Sequence, residues 1–188
     1  MKRAASCVGM LLLAACASSP QAASPLTRMQ LPASDQHNYT LPAPSAASLT
    51  VLVFFSADCD CQAAHDARLR ELAVHYRARG VAFFGVDSEV DATVARDAQE
   101  ARRRDYPYPL LIDRGARLAQ QLGAEYATYT VVLDAQGRTQ YRGALDSDHM
   151  DLHDAATFYL RDALDDLLAG RPPRRARTEA LGCALRLW

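Results

Sequence analysis

The sequence predicts one α/β domain built on a mixed central β-sheet with helices on both faces. Three observations carry that expectation: two unbroken apolar runs, LTVLVFF (Leu49–Phe55) and VAFFGVD (Val81–Asp87), a helical pattern between them, and a closing pair of short strands around Ala-Gln-Gly. Apolar runs without alternation belong to strands covered on both faces, and the covering layers must be helices. The order βαβα, β, short α, ββα describes such a two-faced sheet.

The chain of 188 residues opens MKRAASCVGMLLLAACASSP, with Lys2 and Arg3 before a short apolar run that ends in small residues. That is the pattern of a secretory signal, and the run is too short to span a bilayer. Leu13-Ala14-Ala15-Cys16 resembles the lipobox of bacterial lipoproteins, which implies a signal over residues 1–15 and lipid on Cys16. A membrane-anchored envelope lipoprotein facing the periplasm or the outside is therefore expected. Loss of residues 1–15 would leave 173 residues, enough for one domain. It would also leave 19 of the 21 basic residues against 22 acidic ones, a formal charge of −3 that gives no reason to expect a nucleic-acid partner.

Residues 16–28, rich in Ala, Ser and Pro, read as a tether, residues 29–170 as the domain and residues 171–188 as a C-terminal extension. A hairpin is expected near residues 29–41. After the first buried strand, Cys61, His65, Leu69, Leu72 and Tyr76 recur at helical spacing over residues 62–79, closed by Gly80. Beyond the second strand, Ser88 with Asp91 reads as a capping box for a helix carrying Val94, Ala98 and Ala101. Residues 107–113 read as a third strand, 116–123 as a short helix, and 129–134 with 138–143 as a hairpin. The last helix is expected over residues 152–169, stopped by Gly170 and two prolines. The run from Glu100 to Asp105 reads as a solvated helix face, and the arginine-rich residues 170–177 as a solvated tail.

The chemistry concentrates in FFSADCDCQAAH, residues 54–65. With Cys7 in the signal and Cys16 lipidated, the domain holds Cys59, Cys61 and Cys183, an odd number that points to reactive or metal-bound sulfur rather than a disulfide scaffold. A thiol at a helix N-terminus meets unpaired backbone N–H groups, which favour thiolate. Asp58 and Asp60 push the other way. Side chains two apart on a helix point to nearly opposite sides, so a Cys59–Cys61 disulfide is expected to be strained and easily reduced. His65 lies one turn beyond Cys61 on the same face. Cys183 reads either as a resolving cysteine or as a buried apolar residue beside Leu181, Leu185 and Trp188. His37, His75, His149 and His153 show no ligand spacing, and neither a phosphate-binding glycine loop nor a serine nucleophile motif occurs.

A cysteine turn between a buried strand and the first long helix resembles the thioredoxin superfamily, and VVLDAQGRTQYRG resembles the hairpin of its redoxin branch, the alkyl hydroperoxide reductase and thiol-specific antioxidant type. The resemblance covers residues 29–170 and implies a thioredoxin-like fold and thiol–disulfide exchange with protein or small-molecule thiols and disulfides. It places the nucleophile at Cys59, with Cys61 as its catalytic partner, Cys183 as an alternative resolving residue, and weak thiol peroxidase activity as a variant. It implies no cofactor. This chain departs from the pattern in three places. The cysteines are Cys-x-Cys; Thr128 stands where a cis-proline is usual; and Ser56 keeps the peroxidatic hydroxyl position while Leu52 replaces its proline. Ser56, His65 and Thr128 are thus the auxiliary candidates. Without the proline a second reading opens, in which Cys59, Cys61 and His65 bind Cu(I) for delivery.

Overall fold

The computed structural model describes residues 24–43, 48–180 and 182–188. A hairpin of β1 (Met29–Pro32) and β2 (Asn38–Leu41) precedes a five-stranded sheet. Its strands are β3 (Leu49–Phe55), β4 (Val81–Asp87), β5 (Leu110–Ile112), β6 (Thr130–Asp134) and β7 (Thr139–Gly143), in the order β5-β4-β3-β6-β7. β3, β4 and β5 run parallel, while β6 and β7 are antiparallel to their neighbours. The expected mixed sheet is present, with β3 at its centre.

Every residue of β3 is buried, and its alternation divides the core in two. Val51, Val53 and Phe55 join Leu69, Ala73 and Tyr76 of α1 (Asp60–Arg77) with Leu160 and Leu164 of α4 (Tyr159–Leu168). Leu52 and Phe54 face the hairpin's Leu31 and Leu41 and Leu118 and Leu122 of α3 (Arg117–Leu122). Each such side chain contributes about 1.5–3 kcal/mol on leaving water. The cysteine turn follows β3, so the most constrained strand aims it.

Several expectations change. α2 (Val94–Arg103) is capped by Thr93, whose side chain accepts from the Arg96 N–H at 3.2 Å. Ser88 and Asp91 do not cap it: Ser88 donates to Asp113 at 2.8 Å, and Asp113 accepts the N–H groups of Leu118 and Ala119 at the start of α3. The last helix begins at Tyr159, because residues 144–158 fold as a loop over α1. Leu26, at the end of the expected tether, is already buried and donates its N–H to Gly137. The signal, Cys7 and Cys16 lie outside the described residues. No described helix is long and apolar enough to cross a membrane.

At the end of β4, Asp87 meets Asp97 of α2, and both are wholly buried. Oδ2 of Asp87 and both oxygens of Asp97 lack a partner of ordinary hydrogen-bond geometry among the described residues. Burial and then the charge of Asp87 push the Asp97 carboxyl up to about 8, while burial raises Asp87 to about 6. The folded pair therefore binds a proton more tightly than the unfolded chain. Its contribution is greatest below the ordinary carboxyl range and is lost as pH rises through about 8. Asp97→Asn is expected to stabilise the protein by on the order of 2 kcal/mol at pH 8, with little effect at pH 4, in urea unfolding at the two pH values.

Candidate functional site

Cys59 is the N-cap of α1, with extended backbone, and its sulfur accepts from the Gln62 N–H at 3.4 Å. The side chain is wholly buried. Ser56, also buried, lies three residues before it, and its carbonyl accepts the Cys59 N–H at 3.4 Å. The sulfur of Cys59 is bonded to Cys183, with 5.7 Å between the Cα atoms. The bond does not run to Cys61, its near neighbour in sequence. Cys61, two residues along the helix, projects elsewhere: its thiol donates to the carbonyl of His149 at 3.1 Å and also engages Thr128.

Cys183 reaches Cys59 because residues 171–188 fold back over the domain. Arg171 and Arg174 pair with Asp166 of α4 at 2.7 and 3.0 Å, so the arginine-rich stretch is anchored at both. Next, residues 176–178 run beside β7: the Arg142 N–H donates to Ala176 and the Thr178 N–H to Arg142, each at 3.1 Å. The tail then crosses the loop before β6, where the Ala127 N–H donates to Cys183 and the Leu185 N–H to Glu125, both at 2.9 Å. Two glycines permit these crossings. A Cβ on Gly143 would lie 2.4 Å from the Thr178 carbonyl oxygen, and one on Gly182 would lie 2.1 Å from that of Ala127. Leu185 is buried and Trp188 exposed; Leu181 lies outside the described residues.

Arg186 holds the tail's far end. Its guanidinium lies 2.7 Å from Glu89, 3.1 Å from Asp91 and 3.5 Å from Asp58, and its carbonyl accepts the Val90 N–H. Glu89 is buried beneath it, with 1% of its side chain exposed.

Behind Cys61 sits a buried polar network. His65 places Nδ1 2.8 Å from the Cys61 carbonyl oxygen and 3.9 Å from its sulfur, and Nε2 3.3 Å from Asp146. Asp146 also pairs with Arg68 at 2.8 Å. Burial opposes charge on His65, but the hydrogen bonds its ring donates to Asp146 and to the Cys61 carbonyl outweigh it and raise the pKa. Burial also raises Cys61, against a hydrogen bond from Thr128, so its thiol keeps its proton more firmly than an exposed one. Among the described residues, no group of three His, Cys, Asp or Glu side chains is placed to share a metal ion. Cys59 and Cys61, two of the three residues of the copper reading, are directed to different partners.

Thr128, at the usual place of the cis-proline, has φ of 68°, a left-handed conformation that is costly for a β-branched residue. Its N–H donates to the Phe54 carbonyl at 2.8 Å, which ties the loop under the tail to β3.

Arg104 is the main residue missed at the sequence level. Far from solvated, it is buried, donating to the Ala57 carbonyl at 2.7 Å and to Asp66 at 2.9 Å. Asp66 also accepts from the Tyr106 hydroxyl. The cysteine turn is thereby fastened to α1 and to the end of α2. Charge spacing gave no sign of this, because Arg104 reads like its exposed neighbours Arg102 and Arg103. Asp146 and Glu89 were equally silent, since their partners are 81 and 97 residues away.

The Redoxin family profile matches residues 20–158 and ends before Cys183. Among solved structures, an uncharacterized conserved protein from Geobacillus kaustophilus is 24% identical with a TM-score of 0.80, covering 91% of this chain and 94% of that one. A hypothetical protein from Sinorhizobium meliloti 1021 is 21% identical, also with a TM-score of 0.80, covering 91% and 97%. A peroxidoxin from Mycobacterium tuberculosis is 21% identical with a TM-score of 0.58, covering 79% and 94%. Comparison with curated protein sequences gives no match. The fold of these neighbours is the thioredoxin-like one anticipated from the cysteine turn. With nearly three quarters of its length matched, the chain belongs to the Redoxin family.

Proposed function

We propose that this protein is a thiol–disulfide oxidoreductase whose redox pair is Cys59 and Cys183. The observation that carries this reading is the bond between a cysteine at a helix N-terminus and one on a docked tail. In the reduced form, the Gln62 N–H and the positive end of α1 favour the Cys59 thiolate. That thiolate attacks one sulfur of a substrate disulfide, forming a mixed disulfide and releasing the other sulfur as a thiolate. The Cys183 thiolate then attacks Cys59 and releases the substrate's second thiolate. The substrate gains two electrons and takes two protons from solvent, and the cysteine pair is left oxidised. Peroxide reduction is a variant in which Cys59 becomes a sulfenic acid and Cys183 displaces water from it.

Protein or small-molecule thiols and disulfides are the partners this chemistry requires, and an external thiol restores the reduced pair. The reading also places the domain in the cell envelope, held by lipid on Cys16. An oxidising compartment is where the disulfides it would act on form and persist.

Cys61 has no exchange step in this scheme. In turnover of glutathione disulfide with dithiothreitol, Cys59→Ser is expected to abolish activity. When the reduced protein is mixed with glutathione disulfide alone, Cys183→Ser is expected to hold a mixed disulfide on Cys59 visible as a glutathione adduct by mass spectrometry. Cys61→Ser is expected to stay within about threefold of the parent rate. Turnover that survives Cys183→Ser but stops with Cys61→Ser would reassign resolution to Cys61.

Arg104 acts as a positioning residue through Ala57. Arg104→Met is expected to cost about 3 kcal/mol of stability, since it leaves Asp66 without its guanidinium. Arg104→Lys keeps a cation for Asp66 but loses the fork that also reaches Ala57. It is expected to recover most of the stability while Cys59 exchange stays about tenfold slow, read by urea unfolding and stopped-flow thiol exchange.

A further inference from the structure

The bond between Cys59 and Cys183 has the chemistry of the covalent intermediate that Cys59 would form with a substrate cysteine. The segment around Cys183 therefore shows how an extended peptide fits beside Cys59. Its side chains alternate as a strand's do: Cys183 faces the core, Ala184 is exposed and Leu185 is buried. Ala184 forms an antiparallel bridge with Tyr126, flanked by the two backbone hydrogen bonds to residues 125 and 127. These contacts use main chain and would serve any extended segment.

Two positions are selective. Just before the cysteine, Gly182 passes so close to the Ala127 carbonyl that a Cβ would overlap it at 2.1 Å. Three residues after the cysteine, Arg186 lies over Glu89, with Asp91 and Asp58 beside it. When covered, the Glu89 carboxylate is cut off from water, and a buried carboxylate needs a cation. A segment that covers Glu89 without supplying one leaves a charge unpaired.

We propose that Gly182–Arg186 lies in the protein's own peptide-binding groove, and that this groove selects protein disulfides whose reactive cysteine follows a glycine and precedes, by three residues, an arginine or lysine. This rests on the thiol-exchange reading above and adds the substrate class to it. Tail and substrate segment exclude each other from the groove, so the tail's own docking sets the threshold a substrate must exceed. The aliphatic residue two after the cysteine fills the place of Leu185, which is buried in the core cluster that also holds Leu122 and Ala124.

The test uses the full chain carrying Cys183→Ser and Gly182→Val, which removes the resolving sulfur and keeps the tail from competing. Its reduced form is mixed with the peptide Ala-Gly-Cys-Ala-Leu-Arg-Leu, the cysteine joined to thionitrobenzoate, and with versions carrying Glu for Arg or Val for Gly. Cys59 attack on the peptide sulfur forms the protein–peptide disulfide and expels coloured thionitrobenzoate. The parent peptide is expected to react at least about tenfold faster than either altered one, with the Arg-over-Glu preference reduced about tenfold by added Glu89→Gln. Equal rates for all three peptides would overturn the groove proposal and leave thiol exchange standing. No release from any peptide or from a glutathione–thionitrobenzoate disulfide would overturn both. A second measurement avoids the double variant: Arg186→Glu in the otherwise unchanged chain is expected to make the Cys59–Cys183 bond at least about tenfold easier to reduce by glutathione at equilibrium. An unchanged equilibrium would remove Glu89 and its neighbours as readers of that position.

Discussion

The site depends on backbone meeting backbone where the tail crosses the loop before β6. Cys183 is 124 residues from Cys59, and nothing local brings the two together. The meeting is fixed by the main-chain bonds to Glu125 and Ala127 and by the missing Cβ of Gly182. The loop beneath is held by Thr128, bonded to the end of β3. The central strand thus aims Cys59 through the turn and Cys183 through the loop, so one rigid element sets both halves of the pair.

Charge fastens what surrounds that strand. Arg104 ties the turn to α1, Arg68 ties the loop after β7 to α1 through Asp146, and Arg186 ties the tail to the loop after β4. Each pair has one member largely withdrawn from water. Such pairs add little net stability when intact, but losing one partner strands the other at a cost of about 3–5 kcal/mol. They therefore specify positions more than they strengthen the fold. The pair under the tail differs from the others, because opening the tail returns Glu89 to solvent, and that makes it suited to a contact that is made and broken.

The strands and first helix were legible in the sequence because buried runs and helical spacing are local signals, and the cysteine turn was legible because it follows such a run. What stayed hidden was set by distance along the chain. The choice between Cys61 and Cys183 as the partner of Cys59 turns on tail docking, and a glycine before Cys183 carries no local mark of an approach to Ala127. The capping assignment to Ser88 failed because its hydroxyl is drawn to Asp113, 25 residues on. The last helix began later than its apolar spacing suggested, since Ala156 belongs to the loop that covers Cys61 and His65.

The most direct measurement is a disulfide map. The reduced chain is oxidised with glutathione disulfide, blocked with an alkylating agent in denaturant, digested without reductant and sequenced by mass spectrometry. A cross-link between the peptides holding Cys59 and Cys183, with Cys61 alkylated, is the predicted result. A bond between Cys59 and Cys61 within one peptide, with Cys183 alkylated, would contradict the account.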